Sequence, residues 1–201
     1  MKKFELTSEF ITNIFGKKLF RVKALFEFGS VKSGELGGYI EKEENLSHNG
    51  NAWVYGNAKV SGDAKVYDDA EVSGNAKVYG DAWVYGNAKV YGNAEVYGNA
   101  EVYGDAWVYG DAWVSGNAWV YGNAKVYDDA DYATIKGFGT EFRATTFFRC
   151  RDGVVRVRCG CFYGDLGQFR SQVKDTRKGK IAEEYLMIAD LMEKHFKEGR
   201  G

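Results

Sequence analysis

A six-residue alternation of apolar and outward positions runs through the middle of this chain. Ala occupies every sixth position from 52 to 130, and Val occupies every sixth position from 54 to 126, so the two flank one outward position in each repeat. This alternation is typical of a short strand with one buried face. Repeats this short cannot bury a core individually, so the pattern predicts a solenoid of stacked coils.

A glycine followed by Asn or Asp separates successive strands. Gly tolerates positive φ, and Asn and Asp enter the left-handed region more readily than other residues, so each repeat can turn a sharp corner. Asp68 and Asp128 replace the glycine, and each stands in an Asp-Asp pair. Proline is absent from the sequence, which suits strands that donate hydrogen bonds to neighbouring coils.

The phrase Gly-Asn/Asp-Ala-X-Val-Tyr/Ser continues without insertion from Gly50 to Tyr127 and resembles the hexapeptide-repeat family. Members of that family fold as left-handed parallel β-helices of triangular cross-section, with three hexapeptides per coil. The resemblance covers about residues 36 to 132, and it implies that positions eighteen apart stack on one face. We therefore expect a mainly β protein built on such a helix.

Changes of pattern on either side of the repeat divide the chain into three predicted domains. Residues 1–45 form a small β-rich N-terminal cap, residues 46–132 form the β-solenoid, and residues 133–201 form a C-terminal α+β domain. Ile40 and Leu46 are expected to be irregular first rungs of the solenoid. Caps are expected because the ends of a solenoid expose unpaired strand edges.

The C-terminal domain is predicted to contain a hairpin and two helices. Asp152-Gly153 indicates a two-residue turn between strands at 145–151 and 154–161. One face of this hairpin would carry Phe148, Cys150, Val155, Val157 and Cys159, and the other would carry Arg149, Arg151, Arg156 and Arg158. Asp165 begins a short helix. A longer amphipathic helix follows, with one apolar stripe made by Ile181, Tyr185, Ile188, Leu191, Met192 and His195-Phe196.

Composition and charge indicate a cytoplasmic protein. The net charge of -1 and the pI near 6.2 give no overall attraction to nucleic acid or to an anionic membrane. The sequence contains neither a convincing signal peptide nor a membrane span. Three cysteines without framework spacing favour reduced thiols. We interpret Cys150, Cys159 and Cys161 as buried core and not as metal ligands, and we expect no cofactor.

An enzymatic function is the obvious alternative, because many hexapeptide-repeat proteins are trimeric acyltransferases with a histidine as general base. The repeat array from 51 to 130 contains no His and no inserted loop that could deliver one. His48 precedes the first regular coil, and His195 lies in the terminal helix. The sequence therefore favours a non-catalytic protein, with His48 at a subunit interface as the weak catalytic candidate.

Basic residues are concentrated in the C-terminal domain. Seven Arg and three Lys lie between positions 143 and 180 against three Asp, a net charge of +7. Arginine makes bidentate contacts with phosphate and carboxylate groups, so one hairpin face could bind an anion. The candidate ligand-binding residues are Arg149, Arg151, Arg156 and Arg158. The alternatives are a solvated outer face and pairing with acidic residues of a partner subunit.

All five tryptophans occupy the outward position of the repeat. The side that carries Trp83 and Trp119 also has a tyrosine in each repeat, whereas the side of Lys59, Lys77, Glu95 and Trp113 is the most polar. This asymmetry predicts that another molecule covers the first side and that the second is solvated. The predicted interface residues are Trp83, Trp107, Trp119, Tyr67, Tyr85, Tyr103 and Tyr121. Alternatively, stacked aromatics only stabilise the ladder.

Several segments, including Gly37-Gly38-Tyr39-Ile40 and Cys-Gly-Cys-Phe, resemble hexapeptide-repeat proteins of bacteriophages and prophages. This resemblance implies the cytoplasm of an infected bacterium. Together with the family's trimers, it leads to the hypothesis of an oligomeric, non-catalytic binding protein. The expected partner is a host protein, such as a defence protein, or an anionic nucleotide-type ligand. An acyltransferase and a structural spacer are the alternatives, and nucleic acid is retained as a partner of the C-terminal domain only.

Overall fold

The structure, a computed structural model, describes residues 1–197, so positions 198–201 of the predicted C-terminal domain lie outside the described residues. The N-terminal segment is β-rich. It contains strands β1 (Phe4–Thr12), β2 (Lys18–Ala24) and β3 (Leu36–Ile40), followed by a 3-10 turn at Glu43–Asn45. β1 and β2 form an antiparallel hairpin, and β2 also pairs antiparallel with β3.

The hexapeptide repeats form the two-residue strands of a parallel β-solenoid of about five turns. Their bounds are β4 (Trp53–Val54), β5 (Lys59–Val60), β6 (Lys65–Val66), β7 (Glu71–Val72), β8 (Lys77–Val78), β9 (Trp83–Val84), β10 (Lys89–Val90), β11 (Glu95–Val96), β12 (Glu101–Val102), β13 (Trp107–Val108), β14 (Trp113–Val114), β15 (Trp119–Val120) and β16 (Lys125–Val126).

Strands three apart in the chain pair in parallel, so each turn has three sides. The three solenoid sheets have the orders β3-β5-β8-β11-β14, β4-β7-β10-β13-β16 and β6-β9-β12-β15. Val60 lies beside Val78, which confirms that positions eighteen apart stack. Ile40 pairs with Val60 and Leu46 bridges Val66, so both residues form first rungs as predicted.

The solenoid interior is a column of the repeat's Ala and Val side chains, which are fully buried from Ala52 to Val126, whereas Ala130 is exposed. The corner glycines have positive φ and lie directly above one another. At Gly86, with φ of 68°, an added Cβ would lie 2.9 Å from the nitrogen of Gly104. Asp68 adopts the same left-handed conformation with φ of 58°. Asp128 does not, because it caps the 3-10 turn at Asp129–Asp131 that ends the solenoid.

Different segments of the chain cover the two ends of the solenoid. At the N-terminal end, the buried Lys3 ammonium donates to the carbonyl oxygens of Gly50 and Ala52, at 3.2 and 2.8 Å. Burial lowers the pKa of Lys3 to about 8. At the C-terminal end, Phe148 and Cys150 of an antiparallel sheet join the solenoid core. The core is therefore closed at both ends by the flanking segments.

The C-terminal segment consists of this four-stranded antiparallel sheet and two helices, so the predicted hairpin and two helices are present and two further strands flank the hairpin. The elements are β17 (Tyr132–Ile135), β18 (Thr145–Arg149), β19 (Val155–Cys159), β20 (Phe162–Asp165), α1 (Leu166–Thr176) and α2 (Gly179–Lys197). Asp165 caps α1 in a capping box with Gln168. The stripe of α2 is buried at Tyr185, Ile188, Met192 and Phe196 and half-buried at Ile181. It differs from the prediction at Leu191, which is 59% exposed, and at His195, which is also exposed.

The hairpin between β18 and β19 corrects the predicted turn. Cys150 donates its backbone N–H to the oxygen of Val154, so the loop has three residues and ends at Gly153, with φ of 78°. Such loops with a left-handed glycine are the next most common after two-residue turns. The register is shifted by one, and Phe148 pairs with Arg156 while Arg149 pairs with Val155. A shift of one residue exchanges the faces of a strand.

This register separates residues that were expected to share a face. Arg156 and Arg158 lie on the solenoid side of the sheet, whereas Arg149 lies on the helix side and Arg151 lies in the loop. The cysteines separate too, since Cys150 is buried toward the solenoid, Cys159 is half-buried on the helix side and Cys161 is exposed. The predicted single arginine face and the predicted single cysteine face are therefore wrong.

The corner glycines allow a direct test of turn stacking. Gly86→Ala introduces both the left-handed strain and the close contact with the turn above, whereas Gly116→Ala, with φ of 69° and no atom within 4 Å of an added Cβ, introduces the strain alone. We expect Gly116→Ala to lower the free energy of unfolding by about 1 kcal/mol and Gly86→Ala by at least about 1 kcal/mol more. Urea unfolding followed by circular dichroism measures both; equal losses would contradict the contact.

Candidate binding surfaces

The terminal segments cover three of the five tryptophans. Trp53 is fully buried beneath the rings of Phe4 and Phe28, whose centroids lie 6.2 and 5.4 Å from the indole centroid. The guanidinium carbons of Arg151 and Arg158 lie 4.8 and 5.0 Å from the ring centroids of Trp107 and Trp119. These last two tryptophans, predicted as an interface, thus contact the C-terminal segment of their own chain. Cation–π contacts of this kind favour its docking.

Two tryptophans point outward, as the repeat predicts. Trp83 is 41% exposed on the side formed by β6, β9, β12 and β15, and Trp113 is 52% exposed on the side formed by β5, β8, β11 and β14. An exposed indole is an apolar group of large area that the solenoid does not need for its core. These two tryptophans are the most exposed of the five.

The tyrosines predicted for an interface form a stacked column. Tyr67, Tyr85, Tyr103 and Tyr121 have successive centroid distances of 4.8, 4.7 and 4.7 Å. Tyrosines at the other two corners stack as well, at 4.9 Å for Tyr79 with Tyr97 and 4.9 Å for Tyr91 with Tyr109. Since all three corners stack, the tyrosine series is explained by the eighteen-residue repeat. Each such pair contributes about 0.5–1.5 kcal/mol beyond its burial.

All four candidate anion-binding arginines contact other residues of the chain, and two of them, Arg149 and Arg156, pair with carboxylates. Arg149 contacts Asp131 at 3.1 Å and donates to the backbone oxygen of Phe196 at 2.9 Å. Arg156 makes a bidentate pair with Asp152, at 2.8 and 2.7 Å, which holds the pKa of that carboxyl well below its usual range. Arg151 stacks on Trp107. Contacts within the chain thus engage guanidinium groups that were predicted to bind a ligand.

The fourth arginine, Arg158, lies at a cavity between the solenoid and the C-terminal sheet. Its guanidinium spans Trp119 and Tyr121, and its buried Nε has no hydrogen-bond partner among residues 1–197. Burial raises the pKa of Tyr121 to about 12, although the positive charge of Arg158 acts in the opposite direction. The cavity has a volume of about 630 Å³ and is lined by Asn117, Trp119, Lys136, Glu141, Phe142, Arg143, Ala144, Arg158, Gly160 and Cys161. We call it the Trp119 cavity.

The Trp119 cavity combines positive charge with aromatic surface. Its lining includes three cations, Lys136, Arg143 and Arg158, against the single carboxylate of Glu141. Arg143 and Glu141 are 3.6 Å apart and both exposed, so this pair contributes little stability. Phe142 has φ of 50°, a left-handed conformation that is strained for a bulky residue, and its side chain is 63% exposed.

The sequence reasoning did not identify Lys136, Phe142 and Arg143 as site residues. They belong to the connection between β17 and β18, whose glycines Gly137 and Gly139 both have positive φ. A glycine-rich connection with interleaved aromatic and basic residues was the available signal. Gly160 is part of the same arrangement, because an added Cβ there would lie 3.1 Å from an Nη atom of Arg143.

His48, the candidate catalytic base, has both ring nitrogens engaged. Its Nδ1 accepts from the backbone N–H of Lys3 at 3.1 Å, and its Nε2 lies 2.6 Å from the Glu43 carboxylate. The ring also stacks on Phe4 at 4.3 Å. Nδ1 must therefore carry the lone pair and Nε2 the proton, which ties the imidazole to the cap. His48 borders a cavity of about 730 Å³ that also includes Tyr67 and Trp83.

Two further searches of the described part of the chain concern metal clusters and membrane-spanning helices. Residues 1–197 contain no group of three His, Cys, Asp or Glu side chains placed to hold a metal ion. Cys150 is buried, and burial raises the pKa of its thiol. Over the same range, no helix is both long and apolar enough to cross a membrane.

Comparisons with known proteins do not extend this description. A scan against protein-family models and a search of curated proteins give no match to the chain. The assignments that follow therefore rest on the geometry of the solenoid and its two flanking segments.

The tyrosine columns predict a loss of stability in alkaline solution. Burial raises the pKa of Tyr67 and of Tyr121 to about 12, above the value of 10 for an exposed phenol. Because the phenol loses its proton near pH 10 in the unfolded chain and near pH 12 in the folded protein, its raised pKa contributes stability that is fully present below pH 10. This contribution is lost as the pH rises from 10 to 12. We expect the unfolding free energy to fall across this interval, and to fall less steeply in Tyr67→Phe and Tyr121→Phe. Urea unfolding at each pH is the measurement; parallel profiles in all three proteins would contradict the assignment.

Proposed function

We propose that this protein is a non-catalytic binding protein that holds an anionic nucleotide-type ligand in the Trp119 cavity. The observation that carries the proposal is the convergence of Lys136, Arg143 and Arg158 on one cavity that the half-buried Trp119 and the exposed Phe142 also line. Arginine recognises phosphate oxygens through paired hydrogen bonds, and aromatic side chains stack on nucleobases. A ligand with both a base and a phosphate uses both features at once.

The position of the cavity suits recognition by a rigid frame. Trp119 lies on a solenoid strand, and its backbone N–H donates to the Thr146 hydroxyl of β18 at 3.0 Å, which joins the solenoid to the sheet. Arg158 lies on the neighbouring strand, β19. Residues held by regular elements lose little conformational freedom on binding. The exposed Phe142 and Arg143 form the more adaptable wall of the cavity.

We place this activity in the cytoplasm of a bacterium, because the repeat resembles that of phage and prophage hexapeptide-repeat proteins. Sequestering a nucleotide signal needs a binding site and no catalytic group. The acyltransferase alternative would depend on His48, whose two nitrogens are engaged by Lys3 and Glu43. The spacer alternative leaves the cations of the Trp119 cavity without a role.

Isothermal titration tests the ligand class with adenosine monophosphate, adenosine diphosphate and a cyclic dinucleotide as probes. Adenosine and inorganic phosphate supply the base and the anion separately. We expect at least one nucleotide to bind more tightly than either part. Arg143→Gln should weaken that binding about tenfold or more, because it removes a charged hydrogen-bond donor worth about 1.5–3 kcal/mol.

The matched control is Arg177→Gln, which removes an exposed guanidinium outside the cavity and should leave the affinity unchanged. Phe142→Ala should weaken nucleotide binding but not phosphate binding. The proposal is overturned if no nucleotide binds below about 1 mM, or if Arg143→Gln and Arg177→Gln have the same effect.

A protein partner on the Trp83 side is a second candidate function. Trp83 lies between two cavities, one with Glu43 and His48 and the other with Asp81 and Glu101. An exposed indole with acidic neighbours suits a basic, partly apolar protein surface, since tryptophan is a frequent anchor of protein interfaces.

Trp83→Ala tests this second candidate. Protein purified from infected cells should carry its partner when Trp83 is present and lose most of it in the variant. Arg143→Gln is the control, because it leaves the Trp83 side intact. Equal recovery of the partner with both variants would exclude the Trp83 side as the binding surface.

A further inference from the structure

An apolar turn projects from the N-terminal segment. Residues 13–17 connect β1 to β2, and we call them the Phe15 tip. Within this tip, the side chains of Ile14 and Phe15 are 93% and 77% exposed. Two adjacent large apolar side chains in water are unfavourable, and at this exposure they add almost nothing to the core of the chain. The Phe15 tip is therefore suited to an apolar environment outside the chain.

The backbone of the Phe15 tip forms hydrogen bonds within the tip itself. The side-chain oxygen of Asn13 accepts from the N–H groups of Phe15 and Lys17, both at 3.0 Å. The N–H of Asn13 donates to the carbonyl oxygen of Lys17 at 2.9 Å, and the N–H of Gly16 donates to that of Asn13 at 3.0 Å. Backbone groups that are bonded in this way lose little when they leave water, which is the condition for contact with lipid.

Lysines follow the apolar pair directly in the chain. Lys17 contacts Glu41 at 2.8 Å, and the ammonium of Lys18 lies 4.2 Å from the ring centroid of Phe10. Lys18 makes no ion pair with any residue in the range 1–197. A lysine can lay its stem along an apolar surface and keep its ammonium in a polar layer. Lys18 is therefore placed to meet an anionic group beside the tip.

The cavity between the Phe15 tip and the solenoid adds a second cation without a counter-charge. This cavity has a volume of about 340 Å³, and its solenoid wall consists of Lys59, Ser61, Lys77, Tyr79 and Glu95. Glu95 pairs with Lys77 at 2.7 Å and accepts from the Tyr79 hydroxyl at 2.9 Å, so its charge is compensated. Lys59 makes no ion pair with the described residues. The tip and its cavity thus carry an excess of positive charge.

We propose that the Phe15 tip binds the surface of an anionic phospholipid bilayer. Ile14 and Phe15 enter the boundary between headgroups and acyl chains, and Lys18 and Lys59 face the lipid phosphates. Apolar side chains with cations behind them match the order of layers in a bilayer, where acyl chains lie beneath an anionic surface. The net charge of -1 belongs to the whole chain, whereas this attraction acts only within about 10 Å of the tip.

Other exposed apolar residues lack this combination with positive charge. Trp83 borders a cavity with three carboxylates and one lysine, which an anionic surface repels. Trp113 is a single indole, and its neighbour in the strand ladder is Glu95. Met187 and Leu191 are 71% and 59% exposed, but α2 contains four acidic residues against three lysines. The Phe15 tip is thus the exposed apolar site that fits an anionic bilayer best.

Vesicle sedimentation with the full chain tests the proposal. One set of vesicles contains about 30% phosphatidylglycerol in phosphatidylcholine, and the other contains phosphatidylcholine alone. We expect the protein to sediment with the anionic vesicles and to bind the neutral ones at least about tenfold more weakly. Combining Ile14→Ser with Phe15→Ser should lower binding to the anionic vesicles at least about tenfold, because it removes the apolar groups that enter the lipid. Circular dichroism melting should show that this variant is folded.

Matched pairs of substitutions serve as controls. Met187→Ser with Leu191→Ser removes two exposed apolar side chains from α2 and should leave vesicle binding unchanged. Lys18→Gln with Lys59→Gln should weaken binding to the anionic vesicles. Lys174→Gln with Lys178→Gln changes the net charge equally but at exposed positions away from the tip, and it should have the smaller effect.

Fluorescence separates insertion from adsorption. Phe15→Trp places an indole at the tip, and lipids with brominated acyl chains should quench its emission beyond the quenching seen in the wild type. Met187→Trp should show no additional quenching.

Three outcomes would overturn the proposal. The first is a wild-type protein that stays in the supernatant at about 1 mM anionic lipid. The second is an equal loss of binding in the two serine variants, and the third is no additional quenching in Phe15→Trp. If vesicles do not bind but a protein from infected cells is lost only from the Ile14 and Phe15 variant, the tip contacts a protein and not a bilayer.

Discussion

The parallel backbone ladder between coils is the constraint on which the rest of this structure depends. Each strand donates to the turn above it, as Ser73 does to Val90 and Glu71 to Ala88, both at 2.9 Å. Such a ladder is continuous only if every repeat has the same length, because one extra residue would put a side chain of the wrong character into the core. The strict six-residue spacing satisfies this condition, and the left-handed corner glycines allow successive turns to approach closely.

The ladder converts sequence spacing into surface geometry. Residues eighteen apart form columns, so a repeated tyrosine becomes a stack and an alternation of charge becomes an ion pair, as in Lys77–Glu95. Asn75, Asn93 and Asp111 form an amide and carboxylate column by the same rule. Only the outward position is free to vary without harm to the core. Functional differences among the three sides must therefore be encoded at that position and at the corners.

The sequence allowed the solenoid to be predicted but not the C-terminal site. The positions of Ala, Val and Gly specify the coils because each repeat contains both the buried residues of its strand and the glycine of its corner. The hairpin at Asp152 is different, because two-residue and three-residue loops both fit its sequence and a shift of one residue exchanges its faces. The Trp119 cavity was less predictable still, since it joins Asn117 and Trp119 to Arg143 and Arg158 only after the C-terminal sheet docks.

The tryptophans show how the outward position serves two purposes. Near the ends of the solenoid, residues of the same chain cover the indoles. Phe4 and Phe28 lie over Trp53, and the guanidinium groups of Arg151 and Arg158 lie over Trp107 and Trp119. The solenoid core gains nothing from an indole directed outward, so these residues act by attaching the flanking segments. Trp83 and Trp113 have the same chemistry without such a cover and lie on different sides. The outward position thus attaches the flanking segments near the ends of the solenoid and leaves one exposed indole on each of two sides.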